Sequence, residues 1–125
     1  MARLVLFLQT PGYTRAYQAA SLAVTAAAMG REVRVVFAFE ALEQLAAGVF
    51  AAPLPDERAY AARAEAIGAT GPAAMLEEAR RLGAKLHACE TVARIAGVDP
   101  DVLRGRVDEV LGLANIVTLP EGAEA

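Results

Sequence analysis

The sequence predicts an α/β domain with helices on both faces of a mainly parallel sheet of four or five strands. Three observations carry this expectation. Strand-like and helix-like segments alternate along the chain, as in βαβ units joined by right-handed crossovers. The first strand-like segment is a short, continuous apolar run, as expected of a strand covered on both faces, and the second is β-branched and aromatic. The helix-like segments close on glycine, at Gly30, Gly48, Gly83 and Gly97.

The elements follow in order. "RLVLFLQ" (Arg3 to Gln9) is the first strand, ended by "TPG". "AYQAASLAVTAAAMG" (Ala16 to Gly30) is a helix, rich in helix formers and free of proline. It is apolar almost all round, which calls for cover on more than one side. "REVRVVFAF" (Arg31 to Phe39) is β-branched and aromatic, with its strand expected at about 32–39, and "EALEQLAAG" (Glu40 to Gly48) is a short helix. Residues 48–72 hold apolar residues and prolines before a helix-compatible piece; they are expected to form a loop and short helix, with room for one further short strand. Val49, Phe50 and Leu54 there need cover from the core or from another subunit. "PAAMLEEARRLGA" (Pro72 to Ala84) is a helix with proline at its start. "KLHAC" (Lys85 to Cys89) is the third strand and "ETVARIAG" (Glu90 to Gly97) a short helix. In "DPDVLRGRVDEVLG" a further helix begins at Pro100, weakened by Gly105. "ANIVTLP" (Ala114 to Pro120) is the fourth strand, followed by a loose tail over 119–125.

The 125 residues, 56% of them hydrophobic, suit one domain over 1–125 with a single core. A single cysteine cannot form an intramolecular disulfide, and a free thiol suggests a reducing compartment, most simply the cytoplasm. The net charge is −3 and the basic residues are scattered, which excludes a nucleic-acid footprint. The apolar start lacks both a signal-peptide pattern and the length of a membrane span.

The chain's only lysine, histidine and cysteine lie within five positions, Lys85 to Cys89. In a parallel sheet all strands end at one edge, where ligands and reactive groups gather. Four segments should converge there: "QTPGYTR", "FEAL", "ACET" and "TLPEG". Cys89 would end its strand and open the next helix, where unpaired backbone N–H groups and the helix dipole favour a thiolate. Glu90 opposes that by adding a negative charge, and Thr91 is the only hydroxyl at the joint. His87 shares a strand face with Cys89, as a nearby base or as a packed side chain. Cys89 itself reads either as a reachable nucleophile or as a small buried hydrophobe. Tyr13, Arg15 and Glu40 are the candidate binding residues of the edge; dipole compensation is enough to explain Glu40, and a solvated arginine is the default reading of Arg15. The spacing supports no metal site. No cofactor is expected either, since "QTPGYTR" is poor in glycine for a phosphate cradle.

Three stretches carry a resemblance: "AYQAASLAVTAAAMGREVRVVFAFEALEQL", "EEARRLGAKLHACETVARIAGV" and "VDEVLGLANIVTLPEGA". Their order, with a strand ending "HAC" before a short helix and glycine, resembles the DsrE/DsrF-like family of small α/β proteins, which includes the sulfur-relay Tus and Dsr proteins. The resemblance implies a three-layer α/β/α sandwich and a homo-oligomer, trimer or hexamer before dimer. It also implies a sulfur-relay carrier in which Cys89 holds a persulfide between donor and acceptor proteins. With one cysteine, a disulfide cycle within one subunit is excluded. The alternative is a non-catalytic oligomeric module that binds a small ligand or a protein at the same edge, with Cys89 merely packed.

Overall fold

In the computed structural model, which describes residues 3–119, four strands and seven helices alternate along the chain. The elements are β1 (Arg3–Leu8), α1 (Tyr13–Ala28), β2 (Glu32–Phe37), α2 (Phe39–Ala46), a 3-10 turn (Pro55–Glu57), α3 (Arg58–Ala66), α4 (Pro72–Arg81), β3 (Lys85–Cys89), α5 (Glu90–Ala96), α6 (Pro100–Leu103), β4 (Glu109–Leu111) and α7 (Leu113–Thr118). The sheet runs β1-β2-β3-β4, and every pair of neighbours is parallel. The loose tail expected beyond Leu119 lies outside the described residues.

Sequential strand order explains the layering. Right-handed crossovers between successive neighbours all place their helices on one face. That face holds the main core, where Val33, Val35 and Phe37 of β2 and Leu86 and Ala88 of β3 meet Leu42 of α2, Met75 and Leu76 of α4, Ala93 of α5 and Leu103 of α6. The alanine-rich sequence of α1 serves this packing. Ala16, Ala20, Ala23 and Ala27 form a buried stripe at helical spacing, letting α1 lie close against α4. Phe50 is covered within the chain, edge-on to Phe37 at 5.8 Å between ring centres, whereas Val49 and Leu54 stay exposed.

The third layer is thinner. Val5, Val36 and Cys89 point to the opposite face and pack under Ile116 and Leu119, from α7 and the residue that follows it. This is where the structure corrects the sequence reading. The fourth strand is Glu109–Leu111, and the expected strand at 114–119 is helical. A short apolar run does not reveal its own period. Here burial at Ile116 and Leu119, three apart, with Val117 67% exposed, is a helical pattern. The helix begun at Pro100 also stops early, at Leu103. Two bonds then hold the chain beside β3: Asp108 N–H donates to Leu86 O at 2.9 Å, and the Asp108 carboxylate accepts from Leu86 N–H at 2.7 Å. They set the register in which Glu109 lies beside His87 and Leu111 beside Cys89. Among the described residues no further strand occupies 48–72, which forms the 3-10 turn and α3.

Candidate functional site

Cys89 stands where the sequence placed it, as the last residue of β3 and the N-cap of α5. Its backbone is extended, with φ −82° and ψ 125°, and its side chain makes no cap hydrogen bond. The thiol does not lie in open solvent, as a reachable nucleophile requires. Cys89 is only 4% exposed, in the cluster with Val5, Val36, Ile116 and Leu119, rimmed by Val92 and Leu111. The cover follows from the corrected chain end. An extended strand at 114–119 would have continued the sheet; a helix there folds back over its face.

His87 lies two residues before Cys89 on the same face and is 1% exposed. Its Nε2 sits 3.3 Å from an Arg34 guanidinium nitrogen. Arginine only donates, so Nε2 accepts and the imidazole proton is on Nδ1. Nδ1 is buried without a hydrogen-bond partner. Burial, and then the Arg34 charge, hold the imidazole pKa below its ordinary value. Arg34 is fixed in turn by Glu32 at 2.9 Å, and Glu109 lies 3.9 Å away. Sequence reasoning missed Arg34 and Glu109. Parallel register puts Val36 opposite His87 and Arg34 one pleat earlier, and only the register shows that.

The remaining candidates divide. Glu90 pairs with Arg94 at 2.6 Å one turn along α5, so its charge is partly neutralised. Thr91 is exposed. Glu40 lies exposed in the first turn of α2, which suits dipole compensation. It follows Phe39, whose φ of 47° places a bulky residue in the left-handed region at the same sheet edge. Arg15 is exposed beside a groove along β1, lined also by Phe7, Gln9, Thr10 and Leu22. Tyr13 opens α1 and does not adjoin Cys89 in the packed cluster. "QTPGYTR", "FEAL" and "ACET" follow the first three strand ends as expected, but β4 leads into Gly112–Leu113 in place of "TLPEG".

The N-terminus of α1 holds a carboxylate of the protein's own. Glu57 accepts from Tyr13 N–H at 2.8 Å, Thr14 N–H at 3.0 Å, the Thr14 hydroxyl at 2.5 Å and Leu54 N–H at 2.9 Å. These bonds, the Thr14 hydroxyl first, hold its pKa down to about 2. Gly12, at φ 112°, is required here, because a Cβ would collide with the Glu57 carboxylate. The sequence carried no signal for Glu57, a distant acid at the end of the 3-10 turn after Pro53 and Pro55.

The family comparison bears on this arrangement. The model for the DsrE/DsrF-like family matches residues 1–121. The chain belongs to the DsrE/DsrF-like family. A comparison with curated proteins found no match. The parallel sheet with helices on both faces is consistent with the three-layer sandwich of the DsrE-like fold. Among the described residues no helix is long and apolar enough to cross a membrane.

Proposed function

We propose that this member of the DsrE/DsrF-like family is a sulfur-relay carrier. Cys89 accepts a sulfane sulfur as a persulfide and passes it to a partner protein. The observation that carries this reading is the position of the only cysteine, at the C-terminal end of β3, beneath a single short helix and its following residue. The transfer is an exchange with no net redox change. The Cys89 thiolate attacks the outer sulfur of a donor persulfide, a new S–S bond forms on Cys89, the donor's S–S bond breaks, and the donor leaves as a thiolate. The acceptor repeats the step on the Cys89 persulfide. His87 suits such a site as a hydrogen-bond donor: its Nδ1–H has no partner and lies on the Cys89 face. It does not suit the role of base, since Nε2 is engaged by Arg34.

Burial of Cys89 means that α7 must yield before a donor protein reaches the sulfur. The same burial supports a second reading, a binding module in which the thiol only packs. A nucleotide at the first loop suits neither, because Glu57 takes the N–H groups of Tyr13 and Thr14 that a phosphate would use. As a carrier the chain works as a homo-oligomer, trimer or hexamer before dimer, with donor and acceptor proteins as transient partners.

The test is intact mass spectrometry of the native protein after exposure to inorganic polysulfide. The carrier gains sulfur that a reductant removes, and Cys89→Ser gains none while keeping its circular dichroism. A native protein that takes up no sulfur and is alkylated only in denaturant would establish the packed reading.

A further inference from the structure

On the face of α1 turned toward α3, away from Cys89, lies a cavity of about 510 Å³. That volume is within the range of small-molecule sites. Its lining includes Tyr13, Tyr17, Tyr60, Arg63, Gln18 and Ile67, so it holds all three tyrosines of the chain. Two helices build it. Tyr13 and Tyr17 are one turn apart on α1, with ring centres 5.9 Å apart and planes tilted by 36°. Tyr60 and Arg63 are one turn apart on α3, with the guanidinium carbon 5.3 Å from the centre of the Tyr60 ring. Among the described residues none of the three phenol hydroxyls has a protein hydrogen-bond partner, and Arg63 has no carboxylate partner.

We propose that this cavity binds a planar aromatic anion. Tyrosine rings from two helices offer faces and edges on which a flat ring stacks. Arg63 is the only charged residue in the lining, and it is a cation in a chain of net charge −3. A guanidinium stacked on a ring keeps its in-plane N–H donors free, and their fork fits a carboxylate, sulfonate or phosphate. The phenol hydroxyls and the Gln18 amide supply further donors at the rim. Ring and charge therefore have complementary partners in one hollow.

The chain contains no tryptophan, so its intrinsic emission comes from the tyrosines that line this cavity. The full-length protein is titrated with 1-anilinonaphthalene-8-sulfonate and, separately, with the neutral N-phenyl-1-naphthylamine, reading tyrosine quenching. The anionic probe is expected to quench saturably and to bind about tenfold more tightly than the neutral one. Arg63→Gln should abolish that preference, and Tyr60→Ala should weaken both probes. No residue of α3 is buried, so both variants are expected to keep their circular dichroism. Cys89→Ser should bind as the wild type does, whatever its sulfur chemistry. Equal affinity for the two probes, or indifference to Arg63→Gln, overturns the proposal. So does tyrosine emission that changes with protein concentration before any probe is added, which would show a second copy covering the cavity.

Discussion

His87 and Glu57 both have pKa values displaced downward by the fold, and the pH dependence of stability follows from the sign. The folded state resists protonating His87, because the imidazole is buried and faces Arg34. The unfolded chain takes that proton first, near its ordinary pKa of about 6.5. The stability it contributes is therefore complete above that pH and is lost as pH falls through the lower folded value. Glu57 behaves alike in a more acid window. Its contribution is complete above 4.5 and is lost as pH falls toward about 2, when the carboxyl lets go of Thr14 and the N-terminus of α1. Urea unfolding as a function of pH should show stability falling below about 6.5 and falling further below about 4.5. His87→Phe should flatten the upper part, since a ring that cannot titrate also removes the unpartnered Nδ1. Glu57→Gln should shrink the lower part and expose the Tyr13 and Thr14 amides to hydrogen exchange. Unchanged profiles in the two variants would show that neither group is linked to folding in this way.

Between elements, the decisive contact is α7 on the sheet. Ile116 and Leu119 fill the layer over Val5, Val36 and Cys89, and Arg3 donates to the Leu119 carbonyl at 2.9 Å. Truncating a buried isoleucine to alanine costs about 2–5 kcal/mol, at the low end where a site can relax. If about 1.4 kcal/mol of that falls on the docking of α7, the open population rises about tenfold. Ile116→Ala should then speed alkylation of native Cys89 by about tenfold or more, provided opening is fast relative to reaction. An unchanged rate with the fold intact would mean that the thiol is reached by another route. The same element shows where the sequence was legible and where it was not. β1 was legible as an apolar run closed by "TPG", and β2 and β3 as strand-like segments following helices that end in glycine, and the joint at Cys89 followed from the end of β3. Asp99 capped α6 as its Asp-Pro pair implied, accepting from Asp101 N–H at 2.9 Å. The last stretch misled because Val110 and Leu111 on one side of Gly112, and Ile116 and Val117 on the other, are equally β-branched or apolar. Only long-range bonds to β3 select the first group as the strand. The buried state of Cys89 hung on that choice, so it could not be read locally. Arg34 beside His87 and Glu57 beneath α1 are contacts across 53 and 43 residues or more, which no local pattern encodes.

For the whole molecule, the strand order leaves the long β1 edge unpaired among the described residues. β1 is an edge strand, because the order is β1-β2-β3-β4. Its six residues, "RLVLFL", are nearly all apolar, and an exposed apolar edge is a template for pairing with another chain. Phe7 is 51% exposed on that edge, and Leu22 of α1 is 44% exposed beside the same groove. The opposite edge, β4, has only three residues and offers a much shorter template. An oligomer built through β1 would cover the longer edge and the two apolar side chains together, with Phe7 on the sheet face that also carries Val5, Val36 and Cys89. Light scattering is expected to give a multiple of the chain mass, trimer or hexamer before dimer. Leu22→Glu, on the solvent side of α1, should lower that mass without loss of helical circular dichroism, because a charge in an apolar contact is expensive to desolvate. Phe7→Glu should do the same while leaving the buried core residues of β1, Val5 and Leu8, in place. A monomer at all concentrations would remove the assembly, and with it the reason for an open edge of this composition. An oligomer indifferent to both charges would place the interface elsewhere on the molecule.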